Sequence, residues 1–185
     1  MMSDPVRACL IIIGNEILSG RTHDKNLPYL AEELNTLGVR LVETRVIPDI
    51  EDTIIETLNE CRAKFDYVFT TGGIGPTHDD ITSECVAKAF GVAIELNADA
   101  HDLLKSHYDN PADLNEARLR MARIPVGAEL IQNPISKAPG FRMENVYVMA
   151  GVPMIMQAMF QGIKHQLIGG KPMVYPRRHD CQGSG

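Results

Sequence analysis

The stretch Tyr67-Val68-Phe69-Thr70-Thr71-Gly72-Gly73-Ile74-Gly75-Pro76-Thr77-His78-Asp79-Asp80-Ile81-Thr82 decides the reading of this chain. Tyr67–Thr71 reads as a short strand that runs into a glycine-rich loop over Gly72–Thr77. A helix is expected to start near Asp80 and to end by Gly91. Open α/β sheets bind ligands where the carboxyl end of a strand passes to the amino end of a helix. Gly72, Gly73 and Gly75 permit positive φ and a close approach of backbone to ligand. Successive free N–H groups and the helix amino terminus then make an anion cradle, to which Thr71, Thr77 and Thr82 add hydroxyls. Asp79 and Asp80 would repel a phosphate unless a hard cation such as Mg²⁺ bridges carboxylate and phosphate oxygens. The same cation would polarise phosphorus toward attack.

On either side of this segment, strand and helix signals alternate. Arg7–Ile13 is a continuous apolar run, as in a strand covered on both faces, and a polar loop is expected from Gly14 to Asn26. Leu27, Leu30, Ala31, Leu34 and Leu37 recur at helical spacing, with Asn26 as expected N-cap, Pro28 in the first turn and Gly38 at C′. Val39–Ile47 reads as a strand. The next helix carries Ile50, Ile54, Leu58 and Cys61 on one face, with Asp49 as expected N-cap. Val92–Leu96 reads as a short strand and Asn97 as the cap of a helix that Asp109-Asn110-Pro111 breaks. A further helix with Leu114, Ala117 and Met121 inward must end before Pro125. Glu129–Ile131 and Val146–Met149 complete the strands, and a last helix runs from Pro153 through Leu167 to Gly169-Gly170. This alternation predicts an α/β fold with a mostly parallel sheet and helices on both faces. The domain is expected over 1–170, followed by a flexible tail over 171–185.

The 185 residues suit one domain, and 44% hydrophobic composition supplies a core. A net charge of −6 argues against a broad nucleic-acid surface. The absence of Trp argues against stacking platforms for single strands. Cys9, Cys61, Cys85 and Cys181 include no C-x-x-C pair and read as reduced cysteines. No apolar run has signal-peptide or membrane-span character, so a cytoplasmic location is expected. The spacing also excludes familiar motifs. Gly14–Gly20 has one residue too many for a Walker loop and is followed by Arg21-Thr22. His78 stands where the dinucleotide pattern after Gly73-Ile74-Gly75 needs its last glycine.

Thr70–Thr82 resembles the TGG-x-GPT-x-DD-x-T signature of the molybdopterin-binding domain family, which includes MoaB, Mog and the gephyrin G domain. Gly75-Pro76-Thr77 followed by Asp79-Asp80 most resembles its branch of amino-terminal domains of competence/damage-inducible protein A (CinA). Further matches are Gly14-Asn15-Glu16-Ile17-Leu18-Ser19-Gly20, Asp24 with Asn26, Pro48-Asp49, Asn133-Pro134, Ala138-Pro139-Gly140-Phe141 and Gly151-Val152-Pro153. The resemblance covers Val6 to Leu167. It implies a three-layer α/β/α fold, a homo-oligomer, and a ligand that is a pterin phosphate or a nucleotide diphosphate. Asp49 and Asp80 match aspartates that are catalytic in the adenylylating branch. The CinA branch is associated with metal-dependent cleavage of ADP-ribose. The implied ligand contacts are Gly14, Asn15, Glu16, Thr71, Gly72, Gly73, Gly75, Pro76, Thr77, Thr82, Pro139, Gly140 and Gly151, with Asp79 and Asp80 toward a divalent cation, Mg²⁺ by preference. Three departures stand out. Lys171–Gly185 does not resemble the continuation toward the deamidase domain of two-domain relatives, so that domain is not expected within these residues, Ser136-Lys137 replace a glycine-rich stretch, and Met149-Ala150 precede Gly151.

Competing readings accompany these residues. Asp49 and Asp80 serve equally as N-caps, and Glu16, Asp24 and Asn26 as turn or cap residues. His78 reads as a rim residue, for no second His or Cys lies at ligand spacing. Met149, Met154, Met156 and Met159 read as core or subunit contact. The alternatives to a phosphate-anhydride hydrolase are a non-catalytic binding module and a cofactor-biosynthesis protein of the Mog or MoaB type, with molybdopterin itself as ligand.

Overall fold

The computed structural model describes residues 5–172. Most of the expected tail, including Arg177, Arg178, His179 and Cys181, lies outside the described residues.

β1 (Val6–Ile13) is the apolar run, and its side chains feed two cores. Cys9, Ile11 and Ile13 face one and Ala8, Leu10 and Ile12 the other, as period-2 geometry requires of a strand covered on both sides. The chain continues through α1 (Asn15–Leu18), α2 (Asn26–Thr36), β2 (Val39–Ile47), α3 (Glu51–Lys64), β3 (Tyr67–Thr71), α4 (Thr82–Phe90), β4 (Ile94–Leu96) and α5 (Ala98–His107). It then forms α6 (Glu116–Leu119), β5 (Arg123–Pro125), β6 (Glu129–Ile131), β7 (Gly140–Met143), β8 (Val146–Met149) and α7 (Pro153–Ile163). The main sheet has the order β2-β1-β3-β8-β7-β6. β2, β1, β3 and β8 run parallel, and β7 and β6 are antiparallel additions at one edge. On one face Leu30 and Leu34 of α2 pack with Met156, Met159 and Phe160 of α7. On the other, Ile54, Leu58 and Cys61 of α3 join Cys85 and Val86 of α4 and Leu104 of α5. These are the three layers of an α/β/α fold. Each fully buried leucine contributes about 1.5–3 kcal/mol through its removal from water.

Cys9 and Cys61 are both buried, with Sγ atoms 3.6 Å apart, and with Cys85 they are free thiols. Burial pushes the Cys85 thiol up to about 12, which keeps it inert at neutral pH.

Several local expectations are corrected. The polar segment before Asn26 contains α1, a single turn. Asn26 is inside α2, and its Nδ2 donates to the carbonyl oxygen of Gly151 at 2.8 Å instead of capping. The first turn is held by Asp24, whose Oδ2 accepts from the Leu27 N–H at 2.8 Å. Ile50, expected inside, is 54% exposed because it is the N-cap of α3. The helix expected around Leu114–Met121 shrinks to α6 and short 3₁₀ turns, since Asn115 caps it late and β5 claims Arg123–Pro125. β5 pairs with β4 in a separate two-stranded ribbon, whose edge tolerates a proline. Of the methionines, Met149, Met156 and Met159 are core, whereas Met154 is 65% exposed.

Candidate functional site

β1 lies between β2 and β3, so the chain leaves β1 toward one side and returns on the other. The crevice at the carboxyl ends of β1 and β3 is therefore the topological switch point, where such sheets bind ligands. Three segments meet there: Gly14–Glu16 after β1, Gly72–Asp80 after β3 and Ala150–Pro153 after β8.

The glycines of the central loop are dictated by space as well as by φ. Gly72 and Gly73 have φ of 99° and 70°. A Cβ on Gly72 would collide with the carbonyl oxygen of Ile13, and one on Gly73 with Oγ1 of Thr82. Thr82 is fully buried and stitches the loop to α4, its Oγ1 donating to Gly72 O at 3.2 Å and its N–H to Gly73 O at 2.9 Å. Gly151 sits against Gly72, where a Cβ would stand 3.2 Å from Gly72 Cα. Asp80 does not cap α4, whose N-cap is Ile81. Its Oδ2 accepts from both the N–H and the Oγ1–H of Thr77, at 2.8 and 2.7 Å, which closes the loop on itself. Gly75 lies beside that carboxylate, and a Cβ there would be 2.8 Å from Oδ2.

Asp49 is likewise no cap for α3. Its Oδ2 accepts from the Asn15 N–H at 3.0 Å, tying the β2 end to the turn after β1. Desolvation raises the Asp49 pKa, the Asn15 hydrogen bond opposes this, and the charges of Glu16, Asp80 and Asp79 raise it further. Glu16, Asp79 and Asp80 thus all act on Asp49 at one end of the sheet. Asp79 is the most open of the aspartates in the loop, with a 69% exposed side chain, and its Oδ1 lies 3.1 Å from Nε2 of the still more exposed His78.

A cleft of about 550 Å³ opens over the loop, within the range of small-molecule sites. Of the expected ligand contacts, Glu16, Gly72, Gly73, Gly75, Pro76, Asp80 and Gly151 line it. Gly14, Asn15, Asp49, Thr77, Asp79 and Thr82 stand behind or beside that lining. Thr71 is buried in β3. Pro139 and Gly140 belong to sheet packing, for a Cβ on Gly140 would collide with Val148 O. The rim includes a turn organised by Asn133, whose Nδ2 donates to Ala138 O at 2.9 Å and whose Oδ1 accepts from Ile135 and Ser136 N–H, both at 3.1 Å. Lys137 in that turn adopts φ 62°, a glycine-like conformation. Tyr108, Arg118 and Met121 also line the cleft. Sequence reasoning missed Tyr108 and Arg118 because no motif or periodicity marks them, and it assigned Met121 only to the inner face of a helix. The one signal was their position around the helix breaker Asp109-Asn110-Pro111. A chamber of about 50 Å³ adjoins the cleft and shares Glu16, Thr22, Gly72, Gly151 and Pro153 with it. Asn26 Oδ1 and Thr71 Oγ1, buried without protein partners, belong to residues lining this chamber. A separate hollow of about 700 Å³ between α5 and β6 has no glycine loop and lies away from the switch point.

Residues 9–169 match the family described as "Probable molybdopterin binding domain". The chain belongs to the molybdopterin-binding domain family. A relative from Pyrobaculum calidifontis is 38% identical over 166 residues, which cover 87% of this chain and 63% of that protein. A CinA-like protein of Myxococcus xanthus is 36% identical over 162 residues, covering 85% of this chain and 38% of that protein. The chain thus spans less than two thirds of the length of either. The crystal structure of a CinA protein of unknown function from Thermoplasma acidophilum superposes with a TM-score of 0.81 at 33% identity, covering 88% of this chain and 99% of that one. The molybdopterin biosynthesis enzyme MoaB of Thermus thermophilus shares the fold, with a TM-score of 0.58 at 15% identity over 88% of this chain and 91% of that one.

The residues of this molybdopterin-binding domain define which cation would fit. Among the described residues no group of three or more His, Cys, Asp and Glu side chains converges as a metal cage. Mg²⁺ commonly takes one or two carboxylates and completes its shell with ligand phosphate and water. Asp79 and Asp80 suit that mode. No helix among the described residues is long and apolar enough to cross a membrane.

Proposed function

We propose that the domain binds a diphosphate-bearing nucleotide or pterin in the 550 Å³ cleft and hydrolyses a phosphate anhydride of the ADP-ribose kind. One observation carries this reading. Gly72, Gly73 and Gly75 line the cleft without side chains, on a loop whose Gly72 N–H is held by Met149 and whose Gly72 and Gly73 carbonyls are held by Thr82, with Glu16 and Asp80 in the same lining. Such a loop suits phosphate oxygens. A divalent cation, when bound through Asp79 and Asp80, supplies charge neutralisation and polarises phosphorus. Asp49, with its raised pKa and its place beside Glu16, is suited to take a proton from the attacking water. Water adds its oxygen to one phosphorus and the bridging oxygen leaves with the other, so ADP-ribose yields AMP and ribose 5-phosphate.

A second reading, a binding module without turnover, has its own support: the Asp80 carboxylate is already engaged by Thr77. Incubating the chain with ADP-ribose, with and without Mg²⁺, and measuring AMP by chromatography separates the two. Metal-dependent AMP release supports hydrolysis. Calorimetric binding without release supports the module. No heat with ADP-ribose, ATP or a pterin phosphate in either condition removes the site. We place the protein in the cytoplasm as a homo-oligomer. Exposed Met154 on α7 is the chosen contact, to be checked by light scattering.

A further inference from the structure

Resting on that reading, a second question is what attracts an anion into a cleft whose charged lining includes Glu16 and Asp80. Arg118 is the one cationic side chain among the described residues that line it. Its placement is built. Asn115 Oδ1 accepts the Arg118 backbone N–H at 3.0 Å and fixes the turn of α6. Nη1 donates to the carbonyl oxygen of Asp113. The guanidinium carbon stands 4.6 Å from the centroid of the Tyr108 ring, a cation–π contact. Arg45, Arg62, Arg123 and Arg142 each face a carboxylate within 3.8 Å. Among the described residues no such ion pair involves Arg118. A guanidinium has five N–H donors, and one carbonyl leaves the rest of the fork for a ligand. Aromatic and carbonyl contacts hold the group in position without neutralising it.

We infer that Arg118 is the anion anchor of the cleft. Its guanidinium takes phosphate oxygens of the ligand directly, with no metal between, while Tyr108 is a positioning residue behind it. Ligand binding therefore has a metal-independent part, carried by the α5–α6 connection, and a metal-dependent part at the glycine loop.

The test is calorimetric titration of the whole chain with ADP-ribose and with uncharged adenosine, in EDTA and in Mg²⁺. The native chain binds ADP-ribose in EDTA, and Mg²⁺ tightens it. Arg118→Gln weakens ADP-ribose in EDTA by at least about tenfold, the scale of a lost charge-assisted contact, and leaves adenosine unchanged. Arg118→Lys, which keeps the charge but not the fork, loses less. Tyr108→Phe keeps the ring and binds as the native chain does, whereas Tyr108→Leu weakens ADP-ribose several-fold. Circular dichroism verifies folding, and Arg118→Lys and the Tyr108 pair carry the test if the glutamine variant does not fold. Equal affinity of native chain and Arg118→Gln in EDTA overturns the anchor and leaves the proposed function standing. So does ADP-ribose binding that vanishes altogether in EDTA. Failure of the native chain to bind ADP-ribose in either buffer overturns both.

Discussion

Replacing Gly72 by alanine isolates the feature on which the site depends. Two costs add. A non-glycine residue in the left-handed region costs about 1–2 kcal/mol, and Gly72 sits at φ 99°. The new methyl also meets the carbonyl oxygen of Ile13. That oxygen belongs to the last residue of β1, which is paired with Ile47 of β2, so it has little freedom to retreat. Overpacking of this kind costs about 1–3 kcal/mol. The sum is about 2–5 kcal/mol, a large part of the roughly 5–15 kcal/mol that holds a domain together. At about 2–4 °C per kcal/mol for this size, the melting temperature falls by roughly 4–20 °C. The control is Gly91→Ala. Gly91 has φ 66° at the end of α4, and a Cβ there meets nothing within 4 Å. That variant carries only the backbone cost, about 1–2 kcal/mol. Urea denaturation of both variants, with ADP-ribose binding in parallel, measures the difference. If Gly72→Ala unfolds at the same urea concentration as Gly91→Ala, the collision with Ile13 is not real and the explanation of the bare loop collapses.

Three further outcomes follow from side-chain geometry. Asp80→Asn keeps an acceptor for Thr77 and leaves melting nearly unchanged, while turnover of ADP-ribose falls by roughly 10²-fold through loss of the carboxylate charge; normal turnover removes Asp80 from the chemistry. For Asp49, whose folded pKa is raised mainly by desolvation, the proton is held more tightly in the fold. Stability from this group is full below its unfolded value and lost as pH rises through the folded one. In EDTA, the stability of Asp49→Asn relative to the native chain therefore climbs from about pH 4 toward neutrality, and a flat difference contradicts the shift. Lys137→Gly relieves φ 62° and changes stability between neutral and about +1 kcal/mol, read from urea midpoints; clear destabilisation shows that the lysine side chain holds the rim.

The boundaries of β2, β3, β6 and β8 were legible in the sequence because their side chains obey local apolar patterning over whole elements. β5 and β7 were not, because Pro125 and Gly140 read locally as breakers. Gly140 belongs to a strand since Val148 approaches too closely for any side chain, and that neighbour is a tertiary fact. Caps tell the same story. Asn97 caps α5 as expected, with Oδ1 accepting from Ala100 N–H at 2.9 Å. Asp49, Asp80 and Asn26 carried equally good cap signals, yet each is drawn away: Asp49 by Asn15, Asp80 by Thr77 and Asn26 by Gly151. The partners of Asp49 and Asn26 lie 34 and 125 residues away, beyond any local pattern. Asp80 lines the cleft, Asn26 lines its chamber and Asp49 holds the Asn15 turn next to Glu16, whereas the realised cap at Asn97 lines neither. Local rules fail together where a site imposes other demands on the same side chains. Here those demands are to fasten three chain segments around a glycine loop and to gather carboxylates near Asp49. Helix capping asks for neither. The coincidence of failed caps with the glycine loop is thus an independent argument that this end of the sheet is built for a ligand.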